Sequence, residues 1–354
     1  MAGIIVPYQK PSRKPPRLAF VAEAPSGDEE YHGVPLIGPS GRIFNAELRA
    51  AGIDRSECLV TNVFDQKLPG NEVANWCVPL ADARSNGWTD IPPIGDAGFL
   101  RGEHRYHLER LQAELEEWDP IVVVPLGVTA LWALTGQTRI GAVRGAVLPA
   151  TRLVPGKKLV PTYHPAFVMR QWKFHHVVIG DFIKASNQAV VGRDIILPKR
   201  ELLLEPTLAD IEAYLPRLLA SDLLSVDIET GWGQIKSIGF APDVEHAIVI
   251  PFIDLRVPSR SYWPTAAEEV RAWGYVRTVL ESEVPKLGQN FAQYDAYWLL
   301  EKEHIGVRNL REDTRLLSHA LYPELPKSLE FMGNSYAMQG VWKSWGKGRD
   351  KRDD

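Results

Sequence analysis

Residues 121–134, IVVVPLGVTALWAL, decide the fold. Ile121–Leu126 is a short, wholly apolar run, which reads as a strand buried on both faces. Gly127 interrupts it, and Val128–Leu134 follows as a helix. A buried strand passing at once into a helix is the repeating unit of a parallel sheet covered by helices. The same rhythm extends outward. Leu18–Ala22 is a second apolar run, ending in the loop Glu23-Ala24-Pro25-Ser26-Gly27. Gly41–Ala51 has helical periodicity, with Ile43, Phe44 and Leu48 on one face. Cys58–Phe64 is a strand, Tyr106–Trp118 a helix, Leu159–Tyr163 a strand ending at His164, and Val177–Val190 a helix. These elements predict an α/β/α sandwich with a parallel central sheet. Ligand sites in such sheets lie beyond the carboxyl ends of the strands. The loops after Phe20, Val60 and Tyr163 all fall on that edge.

The flanks and totals bound the rest. The chain has 354 residues, enough for two domains at roughly 100–200 residues each. Net charge is −4, so any nucleic-acid partner must be recognised at local sites rather than through bulk charge. Two cysteines, Cys58 and Cys77, make no disulfide framework and point to a reducing, cytoplasmic compartment. No run of about 18 apolar residues is present, so no membrane span is expected. Residues 1–17 are rich in Pro, Lys and Arg and read as a flexible basic arm, either a disordered tail or a DNA-binding one. Residues 65–102 are long for a connection, and 75–102 read as an insertion. Residues 191–206, VGRDIILPKRELLLEP, read as a linker.

A second unit follows over 207–354. Leu208–Leu219 is a helix. Leu224–Ile228, Ile235–Ala241 and His246–Pro251 form a meander. Residues 264–281 are helical, Pro285–Gly288 is a strand, and a helix starts at Tyr294. Three strands followed by strands alternating with helices predict an RNase H-like α/β domain with a mixed sheet.

In the first unit, AEAPSGDEEYHGVPLIGPSGRIFN (22–45), LVTNVFDQKLPGNE (59–72), VVVPLGVTALWALTG (122–136), RGAV (144–147) and PTYHPAFVMR (161–170) occur in order. Together they resemble the motifs of the uracil-DNA glycosylase superfamily, nearest its family 4, over residues 18–190. The chemistry suits these residue types. Breaking the bond between uracil and deoxyribose leaves positive charge on the sugar and negative charge on uracil O2. An imidazole stabilises the departing base. A carboxylate orients water and offsets the sugar's charge. A side-chain amide tells uracil from cytosine, once the base has been flipped out of the stack. The resemblance implies His164 at O2, Glu23 on the water and Asn62 on the base, with Asn71 and Arg170 assisting. It implies a phosphate seat at Gly38, Ser40 and Gly41, where a helix N-terminus begins. Leu36 stands where the family carries the aromatic that stacks on uracil. The family's iron–sulfur cluster needs four cysteines. None precedes Cys58, and Gln66 and His107 stand at the third and fourth ligand positions, so no cluster and no other cofactor is expected for base excision.

In the second unit, VDIET (226–230) puts Asp227 and Glu229 on one strand face. KLGQNFAQYDAYWLL (286–300) adds Asn290 and Asp295, and EDTRLLSHALYPELPKSLEFM (312–332) adds Asp313. This order resembles the DEDD 3′–5′ exonucleases, specifically the proofreading domain of family A DNA polymerases. The resemblance implies Mg²⁺ or Mn²⁺ on Asp227, Glu229 and Asp295, with Asp313 supporting the fold. The family's last motif, Tyr-x-x-x-Asp, should follow a GKG-like segment. Gly346-Lys347-Gly348 is present, but the motif is not, so the second domain is expected to be incomplete.

The sequence therefore predicts a DNA repair enzyme that excises uracil, or a related deaminated base, and carries a truncated exonuclease-like domain. Its partners would be DNA, single-stranded or with a flipped base, and a DNA polymerase or replication protein in a phage or bacterial setting. Two rivals stay open. Both halves are degenerate and only grip DNA, or the chain is part of a longer glycosylase–exonuclease–polymerase protein.

Overall fold

The computed structural model describes residues 3–337. These form two compact units: residues 3–197 with 330–337, and residues 198–329.

The first unit contains β1 (Leu18–Ala22), α1 (Gly27–His32), α2 (Pro39–Ala50), β2 (Leu59–Asn62), β3 (Cys77–Val78), α3 (Leu80–Ser85), β4 (Phe99–Leu100), α4 (Tyr106–Trp118), β5 (Val122–Pro125), α5 (Val128–Thr135), α6 (Ile140–Val143), β6 (Leu148–Pro149), β7 (Lys158–Leu159), α7 (Pro165–Arg170) and α8 (His175–Val191). The sheet order is β2-β1-β5-β7-β6. Four strands are parallel, and β6 is a short antiparallel edge, so the sheet is not purely parallel. The apolar runs are buried because both faces are covered. In β1, Ala19 and Val21 enter one core, while Leu18, Phe20 and Ala22 enter the other. In β5, Val123 faces the first core, and Val122 and Val124 face the second. Helices α4 and α5 cover the first face, and α2 and α8 the second. This is the expected α/β/α sandwich.

Two segments are more ordered than the sequence suggests. The N-terminal arm is not flexible over its described length. Val6 is buried, and Gln9 exchanges main-chain hydrogen bonds with Val60 at 2.8 and 3.2 Å. Tyr8 packs edge-on against Trp118 at 6.5 Å, and Lys14 lies over the same indole at 5.1 Å. Residues 75–102 are folded: β3 and β4 form a small ribbon, and Trp76, Ile94 and Leu100 join the core.

The second unit contains β8 (Glu201–Leu203), α9 (Leu208–Leu219), β9 (Leu224–Gly231), β10 (Gln234–Ala241), β11 (His246–Pro251), α10 (Ala266–Leu280), β12 (Lys286–Gly288), α11 (Asp295–Glu303), β13 (Leu310–Asp313) and α12 (Thr314–Leu321). Helix α9 starts on a capping box between Thr207 and Asp210. The sheet order is β13-β12-β9-β10-β11-β8. Strand β10 is antiparallel to both neighbours, and β12 and β13 run parallel to β9. Counting from β9, the five main strands lie in the order 3-2-1-4-5 with the second reversed, which is the RNase H-like mixed sheet. Within the expected linker, Glu201–Leu203 pairs with β11, whose outer main-chain groups would otherwise lack partners.

The second domain was expected to run from 207 to 354, but helix α13 (Leu329–Tyr336) departs from this. From Glu330 onward it packs with the first unit. Gly346-Lys347-Gly348, and with them the expected incompleteness at the C-terminus, lie outside the described residues. Among the described residues, no helix is long and apolar enough to cross a membrane.

Candidate active site

Three strands of the first sheet end at one cavity of about 680 Å³. Glu23 follows β1, Gly127 and Val128 follow β5, and Tyr163 and His164 follow β7. Ser40, Asn71 and Arg170 also line the cavity.

His164 is half-buried and caps α7. Its Nδ1 accepts the main-chain N–H of Ala166 at 3.1 Å. That bond places the proton of the neutral ring on Nε2. Burial, and then the positive charge of Arg170, push the imidazole pKa down to about 4. The ring is therefore neutral at physiological pH and offers one N–H. Glu23 is also half-buried, and burial raises its carboxyl above the ordinary value. The Thr129 hydroxyl donates to Glu23 Oε2 and opposes that rise. Asp28 and Glu29, the nearest carboxylates in sequence, do not line the cavity. Glu29 accepts the N–H groups of Ser26 at 2.9 Å and Ile37 at 3.3 Å, which fastens the loop around α1.

Asn62 is buried beside this edge but does not line the cavity. Its carbonyl accepts from Arg110 at 2.6 Å, while its side-chain oxygen has no hydrogen-bond partner. Leu36 lies elsewhere. It is 2% exposed within the core between the sheet and α2. Arg55 holds it there by donating to its carbonyl at 2.7 Å. Gly38 and Gly41 belong to the start of α2 and do not line the cavity. A Cβ on Gly41 would lie 2.1 Å from the Leu36 carbonyl oxygen, so glycine there is a packing requirement.

The sequence reading assigned no role to Thr129, Tyr163 or Phe167. Tyr163 and Phe167 line the cavity with their rings 4.8 Å apart. The available signal was an aromatic beside His164 and another one helical turn further on.

His107 forms a buried pair with Asp65, Nδ1 to Oδ1 at 2.8 Å. Its ring stacks on Trp76 at 5.0 Å, and Trp76 stacks on His104 at 4.2 Å. Cys58 and Cys77 are both buried free thiols, raised by burial to about 12 and about 11.

In the second unit, Asp227 and Glu229 are exposed on one face of β9. Asp295 is buried and accepts the N–H of Ile228 at 2.9 Å. Burial, with Asp227 nearby, raises its pKa to about 6. Among the described residues, no three of His, Cys, Asp and Glu are arranged to hold a metal ion. Asp295 turns one carboxylate oxygen to the backbone and lies near enough to Asp227 to feel its charge. Asp313 caps α12 and accepts the N–H of Asn290 at 3.0 Å, a structural role.

Residues 11–183 match the model of the uracil DNA glycosylase superfamily. A type-4 uracil-DNA glycosylase of Thermotoga maritima is 27% identical over 173 residues, 48% of this chain and 77% of that protein. A DNA polymerase of Bacillus phage SP01 is 24% identical over 231 residues, 63% of this chain but 22% of the polymerase. Among solved structures, Escherichia coli RNase D aligns with 42% of this chain and 36% of its own at 16% identity, with a TM-score of 0.30. Residues 11–183 of this chain are a uracil-DNA glycosylase superfamily domain, and a unit with an RNase H-like mixed sheet follows it.

Proposed function

We propose that the first unit hydrolyses the N-glycosidic bond of deoxyuridine in DNA. The observation that carries this is the convergence of Glu23 and His164 on one cavity at the carboxyl edge of the sheet. Water adds to C1′ of the sugar as the C1′–N1 bond breaks. Uracil leaves with the bonding electrons and takes up a proton, and the sugar keeps a hydroxyl. Neutral His164 donates its Nε2–H to uracil O2 as negative charge develops there. The Glu23 carboxylate orients the water and offsets charge on the sugar. Asn62 reads the base, and its unpartnered buried oxygen is the kind of group that a ligand satisfies. Tyr163 and Phe167 supply aromatic surface that Leu36, sunk in the core, does not. Ser40, at the start of α2, holds a flanking phosphate.

Uracil-containing single-stranded and duplex DNA, incubated with the chain and then cleaved with alkali, tests this reading. The expected product is an abasic site. No product, or equal product from His164→Ala, overturns it.

For the second unit, we propose a DNA-holding role from its likeness in sequence to part of a phage DNA polymerase. Retention of a primer end in Mn²⁺ without shortening supports that role. Shortening that is lost in Asp227→Ala refutes it.

A further inference from the structure

We propose that residues 330–337 are a positioning clip for the base-excision site of the first unit. The clip is seated on a buried cationic pair, Arg144 and Lys184. The inference rests on the uracil-excision reading for its kinetic consequence, but not for its structural one.

The seat consists of Arg144, in the RGAV motif, and Lys184, on α8. Both are buried, and the carboxylate between them is Asp181, 3.6 Å from Arg144. Two cations against one carboxylate leave a surplus positive charge inside the protein, which is costly unless something else compensates it. The C-terminal end of α13 does so. Lys184 Nζ donates to the carbonyls of Asn334 at 2.5 Å and Ala337 at 3.1 Å. Arg144 donates to Ser335 Oγ at 2.7 Å and to the Phe331 carbonyl at 3.4 Å. Its guanidinium lies 4.6 Å from the centre of the Phe331 ring. The Asn334 and Ala337 carbonyls lie at the negative, C-terminal pole of the helix, so a cation is favoured there.

The clip reaches the cavity by two short routes. Asn334 Nδ2 donates to the Ala142 carbonyl at 2.9 Å, and Arg144 N–H to that of Ile140 at 2.8 Å. Ile140 lines the cavity. On the other side, Asp181 accepts the Thr162 hydroxyl at 2.6 Å, two residues before His164. Gly145 joins the two routes. Its N–H donates to the Pro161 carbonyl at 2.7 Å, and its carbonyl accepts from Lys184 at 2.9 Å. A Cβ there would lie 2.5 Å from Asp181 Oδ1 and 2.7 Å from the Asn334 carbonyl oxygen, so the glycine makes room for both the buried carboxylate and the clip. Arg144 and Lys184 are thus positioning residues, and their occupant is this chain's own helix end rather than a DNA phosphate.

The test uses the full chain with Phe331→Ala, Asn334→Ala, Ser335→Ala and Ser335→Thr, read by hydrogen exchange and by excision kinetics. Exchange over 140–146 and 160–164 is expected to quicken at least about tenfold in Phe331→Ala and Asn334→Ala. In Ser335→Ala, kcat falls with KM held, and Ser335→Thr, which keeps the hydroxyl, restores it. Exchange in those two segments that matches the unsubstituted chain overturns the clip. So does a rise in KM with kcat unchanged, which would assign Arg144 to DNA binding instead. If Phe331→Ala fails to fold, Ser335→Ala carries the same comparison. If the unsubstituted chain releases no uracil but the exchange change is seen, the clip stands and the excision reading fails.

Discussion

His164 Nδ1 accepts the main-chain N–H of Ala166, which fixes the neutral ring with its proton on Nε2. Replacing His164 by Ala removes the Nε2–H that the proposed reaction assigns to the departing base. The expected loss in kcat is about 10²–10³-fold, the usual effect of deleting such a donor. Gel-based excision rates check it. With a pKa pushed down to about 4, the ring stays neutral as pH falls from 8 to 5. An NMR titration should show no His164 midpoint near 6.5. The linked stability is present above the unfolded pKa of about 6.5 and is lost as pH falls towards 4.

Glu23 sits between two opposing influences, burial that raises its pKa and the Thr129 hydroxyl that lowers it. Thr129→Val removes only the second. The carboxylate then ionises at higher pH, and the acid limb of the rate profile should move up. A limb that stays in place would separate Glu23 from the rate-limiting chemistry. Glu23→Gln should lose excision at every pH.

Gly41→Ala drives a methyl group against the Leu36 carbonyl oxygen. The clash is with backbone, which does not yield as a flexible side chain does. The expected cost is about 1–3 kcal/mol, read as a lower midpoint in urea unfolding.

Asp295 is held with its pKa raised to about 6. A raised pKa means that its favourable contribution is lost as pH rises through 6. Asp295→Asn keeps an acceptor for Ile228 without the charge. The variant should be more stable than the unsubstituted chain at pH 8, by roughly 1–3 kcal/mol, and should match it near pH 4. Denaturant titrations at the two pH values decide.

Much of the architecture can be read from residues 18–22, 58–64 and 121–126, because a strand covered on both faces must be largely apolar. Glu23 stands out as the first polar group past the apolar run 18–22, and the fold brings it and His164 to one cavity. Leu36 misleads because sequence position does not reveal that Arg55 draws its carbonyl, and the side chain with it, into the core. The N-terminal arm has no period of its own. Its order comes from β2, about fifty residues away along the chain. The bond from Lys184 to Asn334 spans 150 residues and has no local signature. The acids of the second unit were legible as a pattern on β9 and α11. How they turn in space depends on the main-chain N–H of Ile228, which no motif records.

Strand β2 stands last in its sheet, so one row of its main-chain groups would face outward with nothing to bind. Ile5 and Gln9 bridge across that row to Gln66 and Val60. The basic, proline-rich segment thus acts as a guard rail. It denies a second copy the flat border on which strands add and aggregates grow. A chain trimmed to begin at Arg17 should keep its cavity yet self-associate as concentration rises, which light scattering would reveal.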